Sequence, residues 1–88
     1  MNVFFFKRFQ KIYNKRIRQN NALVLRFEER LTLFARNPQS PLLNDHPLKG
    51  NKEGLRAFSI TGDVRAIYYI VGDTAYFVDI GTHNQVYK

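Results

Sequence analysis

The sequence predicts a two-layer α+β fold, in which a pair of N-terminal helices packs on one face of a small antiparallel sheet. Three observations support this prediction. Apolar residues recur at helical spacing up to about residue 36. Residues 37–54 contain all three prolines and two of the five glycines, which is the composition of a loop. From residue 55 the apolar pattern has a period of two, as expected for strands joined by tight turns.

The N-terminal part of the chain predicts a helical hairpin over about residues 6–36. Its start is ambiguous, because the apolar segment 2–6 fits either a buried strand or the first turn of a helix. One helix face is then formed by residues spaced three or four apart, namely Phe6, Phe9, Tyr13 and Ile17. A second helix is predicted from about Asn21 to Arg36. Asn20-Asn21 supplies an N-cap, and Asn37-Pro38 ends the helix.

Three strands follow the loop and are expected to form an antiparallel meander over residues 55–80. They are predicted at Leu55–Thr61, Val64–Val71 and Thr74–Ile80. The turn signals between them are Gly62-Asp63 and Gly72-Asp73. Gly81 is expected to end the third strand, and the segment 81–88 contains a histidine, His83. With 88 residues, we expect one small domain.

Positive charge is concentrated in the predicted helices. The chain has a formal net charge of +7. Residues 1–36 hold nine basic and two acidic residues, whereas residues 37–88 hold five of each. Four of the basic residues repeat along one face of the first helix, namely Lys7, Lys11, Lys15 and Arg18. This asymmetry favours a polyanion or an acidic protein as partner, and the alternative is a basic face that serves solubility alone.

Several classes of protein are disfavoured by what the sequence lacks. Without cysteine there is no disulfide, thiol catalysis or cysteine-type zinc site, which fits a reducing compartment such as the cytoplasm. The apolar run 3–6 is too short for a membrane span or an export signal. The two histidines have no third metal ligand at a diagnostic spacing among Asp45, Asp63 and Asp79. We therefore expect no metal and no cofactor.

Acid–base chemistry on a phosphate is the reaction that the remaining polar residues suit best. RNA is cleaved without metal when a base removes the 2′-hydroxyl proton and an acid protonates the leaving 5′-oxygen. Cations stabilise the phosphorane between these two events. His46 and His83 lie in polar segments, and histidine titrates near neutral pH. Asp63 lies in a turn, two residues before Arg65. Each of these residues alone also fits an ordinary solvated position.

Four short motifs occur in a definite order after the basic helices. They are His46-Pro47-Leu48-Lys49-Gly50, Gly54-Leu55-Arg56, Gly62-Asp63-Val64-Arg65-Ala66-Ile67-Tyr68 and Gly81-Thr82-His83-Asn84-Gln85-Val86-Tyr87. In this order the motifs resemble the RelE/ParE superfamily of bacterial and archaeal toxins, and within it the YafQ-like branch. The resemblance extends over nearly the whole chain, and its specificity comes from the combination of motifs.

The resemblance implies a RelE-like fold and a toxin of a type II toxin–antitoxin system. Such a toxin cleaves mRNA in the ribosomal A site and is held silent by an antitoxin from the same operon. In the YafQ-like branch, the positions that match His46, Asp63 and His83 have catalytic roles. Arg65 matches an arginine that is frequent throughout the superfamily, and we expect it to stabilise the phosphorane.

RNA contacts are expected from an aromatic ring and from basic side chains. The family has an aromatic residue four positions past its histidine, which matches Tyr87, and we expect this ring to stack on a base of the codon. The side chains expected to contact RNA phosphates are Arg56, Lys49, Lys7, Lys11, Lys15 and Arg18. Arg56 is also a weaker candidate for stabilising the phosphorane.

The chain departs from the YafQ pattern at two positions. Ser59 stands where the pattern has a further histidine, and Val64 follows the aspartate where the pattern has an aromatic residue. Catalysis is therefore expected to be weaker or divided differently among the groups. One alternative function is that of a ParE-like toxin that binds DNA gyrase without hydrolysing nucleic acid. Another is a non-toxic nucleic-acid-binding module. His83 and Asp63 favour the ribonuclease, because a gyrase binder needs neither.

Overall fold

The computed structural model describes residues 1–87, which form a five-stranded sheet with three α-helices. The strands are β1 (Asn2–Phe5), β2 (His46–Pro47), β3 (Arg56–Ser59), β4 (Val64–Val71) and β5 (Thr74–Thr82). The helices are α1 (Lys7–Arg16), α2 (Asn21–Arg36) and α3 (His83–Val86). The segment between α2 and β3 also contains two 3₁₀ turns, at Pro41–Leu43 and Gly50–Lys52.

The two long helices are the pair that the sequence predicts. The side-chain oxygen of Asn20 accepts a hydrogen bond from the Leu23 N–H at 3.2 Å, which caps the start of α2. The helix ends at Arg36, and its C-cap residue Asn37 precedes a proline. Tyr13 of α1 and Phe27 of α2 are in contact, with ring centroids 5.4 Å apart. Among residues 1–87, no helix combines the length and the apolar character needed to cross a bilayer.

The sheet has the strand order β1-β5-β4-β3-β2. The meander of β3, β4 and β5 is antiparallel, as predicted. Its register sets Ser59 opposite Arg65 and Val64 opposite Thr82. A register shift follows Ile67, so that the strands continue with a β-bulge at this point.

Apolar side chains cover both faces of the sheet. The face under α1 and α2, here called the helix face, contains the larger core. Its most buried aromatic side chains are Phe34, Phe58, Tyr68 and Phe77. On the opposite face, here called the α3 face, a smaller cluster forms around Ala57, Ile67 and Val86. Alternation along β3 and β4 therefore places Arg56 on the helix face and Arg65 on the α3 face.

The structure settles the ambiguity of residues 2–6 and shows that the sheet is not wholly antiparallel. Residues 2–5 form β1, which pairs in parallel with β5. Within the predicted loop 37–54, His46–Pro47 forms the short strand β2, because His46 pairs with Ala57 of β3.

The ends of the predicted strands also differ. The expectation that Gly81 ends the third strand is wrong, since Gly81 pairs with Arg65 and β5 continues to Thr82. The first strand of the meander is confined to Arg56–Ser59. The segment 81–88 contains the helix α3, and its last residue, Lys88, lies outside the described residues.

Candidate functional site

The turn before β4 meets the end of β5 at the start of α3. The backbone N–H of His83 donates to Oδ1 of Asp63 at 3.2 Å. The turn itself is closed by a hydrogen bond from the Ile60 N–H to the Val64 carbonyl at 2.8 Å. Two residues that are 20 positions apart therefore lie side by side, because β4 begins where its antiparallel neighbour β5 ends.

A capping box stabilises the short helix α3. The Thr82 hydroxyl accepts a hydrogen bond from the Gln85 N–H at 3.3 Å, and the Gln85 side chain accepts one from the Thr82 N–H at 2.8 Å. One turn of helix then separates His83 from Tyr87. Their rings meet edge to face, with centroids 4.6 Å apart. The imidazole is exposed, whereas the phenol ring is half-buried.

Arg65 joins this group from the neighbouring strand. Its guanidinium carbon lies 5.6 Å from the centre of the Tyr87 ring, within the range of a cation–π contact. The Arg65 Nε and the Tyr87 hydroxyl are both buried, and neither has a hydrogen-bond partner within residues 1–87. Buried polar atoms are rarely left unpaired, because their desolvation is then uncompensated. The site therefore contains two polar atoms, the Arg65 Nε and the Tyr87 hydroxyl, that make no hydrogen bond within residues 1–87.

His46 lies on the same face of the sheet as Arg65. It pairs with Ala57, which pairs with Ile67, and Ile67 and Arg65 point to the same side because they are two residues apart. The register puts the Cα atoms of His46 and Arg65 about 12 Å apart. The imidazole Nδ1 lies 2.9 Å from the Asn44 carbonyl oxygen.

Arg56 is not part of this group. It pairs with Tyr68, whose ring belongs to the core of the helix face, so Arg56 lies on the face opposite to Arg65. Its Nε donates to Oδ1 of Asp45 at 2.8 Å. The Tyr68 hydroxyl donates to the other carboxylate oxygen of Asp45. Burial, and after it the hydrogen bond to Asp45, raises the pKa of Tyr68.

The other predicted phosphate contacts are distributed along α1 and in the loop after β2. All are exposed, and they are Lys7, Lys11, Lys15, Arg18 and Lys49. Nη1 of Arg16 donates to the Ile80 carbonyl at 3.0 Å and to Oδ1 of Asp79 at 3.2 Å. These bonds tie the C-terminal end of α1, next to Lys15 and Arg18, to the strand that leads to His83. Lys7 is at the other end of the helix, about 15 Å away.

Two features of the site were missed in the sequence. The spacing of Thr82 and Gln85 matches the capping-box pattern, so α3 had a detectable signal. The role of Asp45 had no detectable signal in the sequence, because its partner Tyr68 is 23 residues away and the contact depends on the sheet register.

Within residues 1–87, no three potential metal-ligating side chains form a cluster.

One family model and several solved structures match the chain. The model of "Bacterial toxin of type II toxin-antitoxin system, YafQ" matches residues 1–88. The crystal structure of YafQ from E. coli strain BL21(DE3) superposes with a TM-score of 0.81 at 21% identity, covering 99% of this chain and 98% of that chain. YafQ in the E. coli DinJ–YafQ toxin–antitoxin complex gives a TM-score of 0.78 at 21% identity, covering 99% and 97%.

A second bacterium also provides a relative. The solution structure of the protein HP0894 from Helicobacter pylori gives a TM-score of 0.69 at 30% identity, covering 96% of each chain. No match was found among curated protein sequences. The resemblance drawn from the sequence motifs is confirmed by the family model, and the α+β fold is confirmed by the superpositions. Since the family model spans all 88 residues, the chain belongs to the YafQ family of bacterial toxins of type II toxin–antitoxin systems.

Proposed function

We propose that this toxin is a ribosome-dependent endoribonuclease that cleaves mRNA without a metal ion. The 2′-hydroxyl would attack the adjacent phosphate, and protein groups would move the two protons. The observation that carries the proposal is the gathering of Asp63, Arg65, His83 and Tyr87 at one end of the α3 face. It supplies a carboxylate, a cation, an imidazole and an aromatic ring within one small area.

Arg65 is the proposed stabiliser of the phosphorane. Its guanidinium is held against the Tyr87 ring, and its buried Nε has no partner within the described residues. A phosphate would bind the accessible part of this guanidinium, and a fixed cation in a partly desolvated position stabilises developing negative charge strongly. Removing one such group costs roughly 3 kcal/mol of transition-state stabilisation.

His83 is the proposed general acid for the leaving 5′-oxygen. Its backbone is fixed by Asp63 while its ring is exposed, so the imidazole is available to a bound nucleotide. Asp63 or His46 would take the 2′-hydroxyl proton. Asp63 uses only Oδ1 for the His83 N–H, and Oδ2 makes no hydrogen bond within residues 1–87. Each acid–base role contributes about 10²–10⁴ in rate.

The same proposal gives roles to the aromatic ring and to the basic helix. Tyr87 would stack on a base of the codon, next to the histidine that acts on the phosphate. Lys15 and Arg18 would contact ribosomal RNA phosphates close to the site, and Lys7 and Lys11 would do so along the helix. Lys49, exposed after β2, would add a further phosphate contact.

We further infer that a cognate antitoxin silences this toxin. DinJ and YafQ from E. coli, and YoeB and YefM from Staphylococcus aureus, have been solved as complexes. For a protein of net charge +7, an acidic partner with apolar anchor residues is the chemically matched choice. Charges would speed the encounter, and buried apolar side chains would hold the complex together.

The proposal is tested by inducing the toxin in cells with and without the adjacent reading frame, followed by primer extension on a reporter mRNA. We expect growth arrest with new mRNA 5′ ends, and relief of both when the adjacent gene is expressed. Intact mRNA together with a DNA-damage response would contradict the ribonuclease and indicate gyrase as the target.

A further inference from the structure

A partly buried cluster of hydrogen-bonded polar side chains lies next to the strand that carries His46. The carboxylate of Asp45, only 8% exposed, accepts hydrogen bonds from the Arg56 Nε and from the Tyr68 hydroxyl. Tyr68 is itself 1% exposed, with its ring packed on Phe34 at 4.9 Å. We call these three residues, Asp45, Arg56 and Tyr68, the Asp45 clamp. It joins the segment before β2 to both β3 and β4.

The backbone of the strand β2 has few hydrogen bonds to the rest of the sheet. It is two residues long and pairs with only one neighbour, through His46 and Pro47. The chain before it turns through Asn44 in a left-handed conformation, with φ 48°. One further backbone bond, from the Leu48 N–H to the Leu55 carbonyl at 2.9 Å, follows the strand. Short edge strands of this kind open at low free-energy cost.

The clamp also decides which face His46 occupies. Consecutive residues of a strand point to opposite sides. Because the Asp45 carboxylate is fixed on the helix face by Tyr68, the next side chain must lie on the α3 face, which is the face of Arg65.

We propose that Asp45, Arg56 and Tyr68 position His46 for catalysis, and that Arg56 serves the reaction through this clamp instead of through the phosphate. Asp45 and Tyr68 are positioning residues, since neither lies on the α3 face. The inference rests on the proposed ribonuclease activity, in which His46 contributes to proton transfer. It replaces the expectation that Arg56 stabilises the phosphorane.

The test uses Tyr68→Phe, which removes one hydroxyl and keeps the core ring. Tyr69→Phe is the matched control, because it removes the hydroxyl of the next residue, which has no hydrogen bond within residues 1–87. Both are measured for cleavage of ribosome-bound mRNA, in the natural sequence and in a His46→Ala background. The ring resonances of His46 and the hydrogen exchange of the Leu48 amide are followed by NMR. Asp45→Asn provides a second disruption of the clamp.

In the natural sequence, we expect Tyr68→Phe and Asp45→Asn to lower the cleavage rate about tenfold. When His46 is already alanine, the same substitutions should lower the rate less than about twofold, because the effects of residues that act through one another are not additive. The His46 resonances should shift and the Leu48 amide should exchange faster, whereas Tyr69→Phe changes neither. Equal losses in both backgrounds, or unchanged His46 resonances, would overturn the inference. If the unsubstituted toxin cleaves no mRNA while the His46 resonances still respond to Tyr68→Phe alone, the clamp stands and the proposed function fails.

Discussion

His83 is held by a backbone hydrogen bond, and its ring is exposed although its edge contacts Tyr87. The backbone N–H bonds to Asp63, and the exposed imidazole is left to react. A substitution of His83 can therefore remove the reacting group and leave the fold in place. An exposed ring contributes little to the core, so its removal should affect catalysis far more than stability.

The first prediction is that His83→Ala lowers mRNA cleavage by about 10²–10⁴ while the unfolding midpoint stays within a few degrees. Asn84→Ala, at the next exposed position of α3, is the control and should retain activity. Single-turnover cleavage of ribosome-bound mRNA and thermal unfolding measure the two effects. A large loss of stability in His83→Ala would show that the ring is structural.

Substitutions of Tyr87 can distinguish a role of its ring in base stacking from a role of its hydroxyl in hydrogen bonding. Its hydroxyl is buried without a partner within residues 1–87, so Tyr87→Phe should leave stability unchanged or slightly higher. The aromatic face remains, and cleavage should stay close to that of the unsubstituted toxin. Tyr87→Ala removes the ring, and with it the cation–π contact that the ring makes with Arg65. This substitution should weaken RNA binding by about 1–3 kcal/mol. If Tyr87→Phe loses as much activity as Tyr87→Ala, the hydroxyl and not the ring carries the function.

Tyr68 should make stability depend on pH in the alkaline range. Burial and the bond to Asp45 raise the pKa of Tyr68 in the folded protein, whereas the pKa of the phenol in the unfolded chain is about 10. Above that pH the unfolded state binds fewer protons, so the free energy of unfolding falls as the pH rises. Chemical denaturation from pH 8 to 11 should show a shallower decline for Tyr68→Phe than for the unsubstituted protein. Identical slopes would contradict the assignment.

Sequence reasoning could predict part of the site and not the rest. Asp63 and His83 flank adjacent antiparallel strands, so the meander alone brings them together. The side of the sheet on which an arginine lies depends instead on register. Arg56 and Arg65 lie on opposite faces of the sheet, and a one-residue change in register would exchange those faces.

At the scale of elements, α3 depends on a glycine at the end of β5. A Cβ on Gly81 would lie 2.5 Å from the Gln85 Oε1 and 2.9 Å from the Arg16 Nη1. Both atoms are already engaged, one in the capping box and the other with Asp79 and Ile80. Any added side chain must therefore displace the cap of α3 or the attachment of α1.

We predict that Gly81→Ala destabilises the protein by about 1 kcal/mol or more, since it disrupts a helix cap, and lowers cleavage by displacing His83. Gly62→Ala is the control for stability, because its Cβ would meet nothing within 4 Å. Urea denaturation of the two variants checks the difference. Equal stabilities would mean that the Gln85 and Arg16 side chains move aside at no cost.

The elements that the sequence predicted well have strong local periodicity. The helix α2 and the strand β4 match their predicted limits, because capping residues and turn residues mark their ends. The strands β1 and β2 are short and depend on partners elsewhere, since β1 pairs with residues more than 70 positions away. Local sequence contains little information on such pairings.

At the scale of the whole molecule, the chain has a net charge of +7, and the position of its positive charges should control ribosome binding. Lys15 and Arg18 lie near the end of α1 that is attached to β5, the strand that leads to His83. Lys15→Glu or Arg18→Glu should weaken binding and reduce the slope of log K against log salt by roughly 0.7–0.9 for each phosphate that the variant no longer neutralises. Arg36→Glu, exposed at the end of α2, is the charge-matched control and should leave the slope unchanged. Equal changes in all three variants would indicate a nonspecific effect of net charge.

The proposed mechanism is tested most directly with purified toxin, translating ribosomes and an mRNA with a single 2′-deoxy nucleotide on the 5′ side of the cleavage site. The mechanism predicts cleavage of the all-ribose mRNA in the presence of a metal chelator that leaves ribosomes intact, with a 2′,3′-cyclic phosphate on one product and a 5′-hydroxyl on the other. It predicts none with the deoxy-substituted mRNA, and a rate about 10²–10⁴ lower with His83→Ala. Cleavage of the deoxy-substituted mRNA, or a folded His83→Ala protein that cleaves at an undiminished rate, would contradict the mechanism.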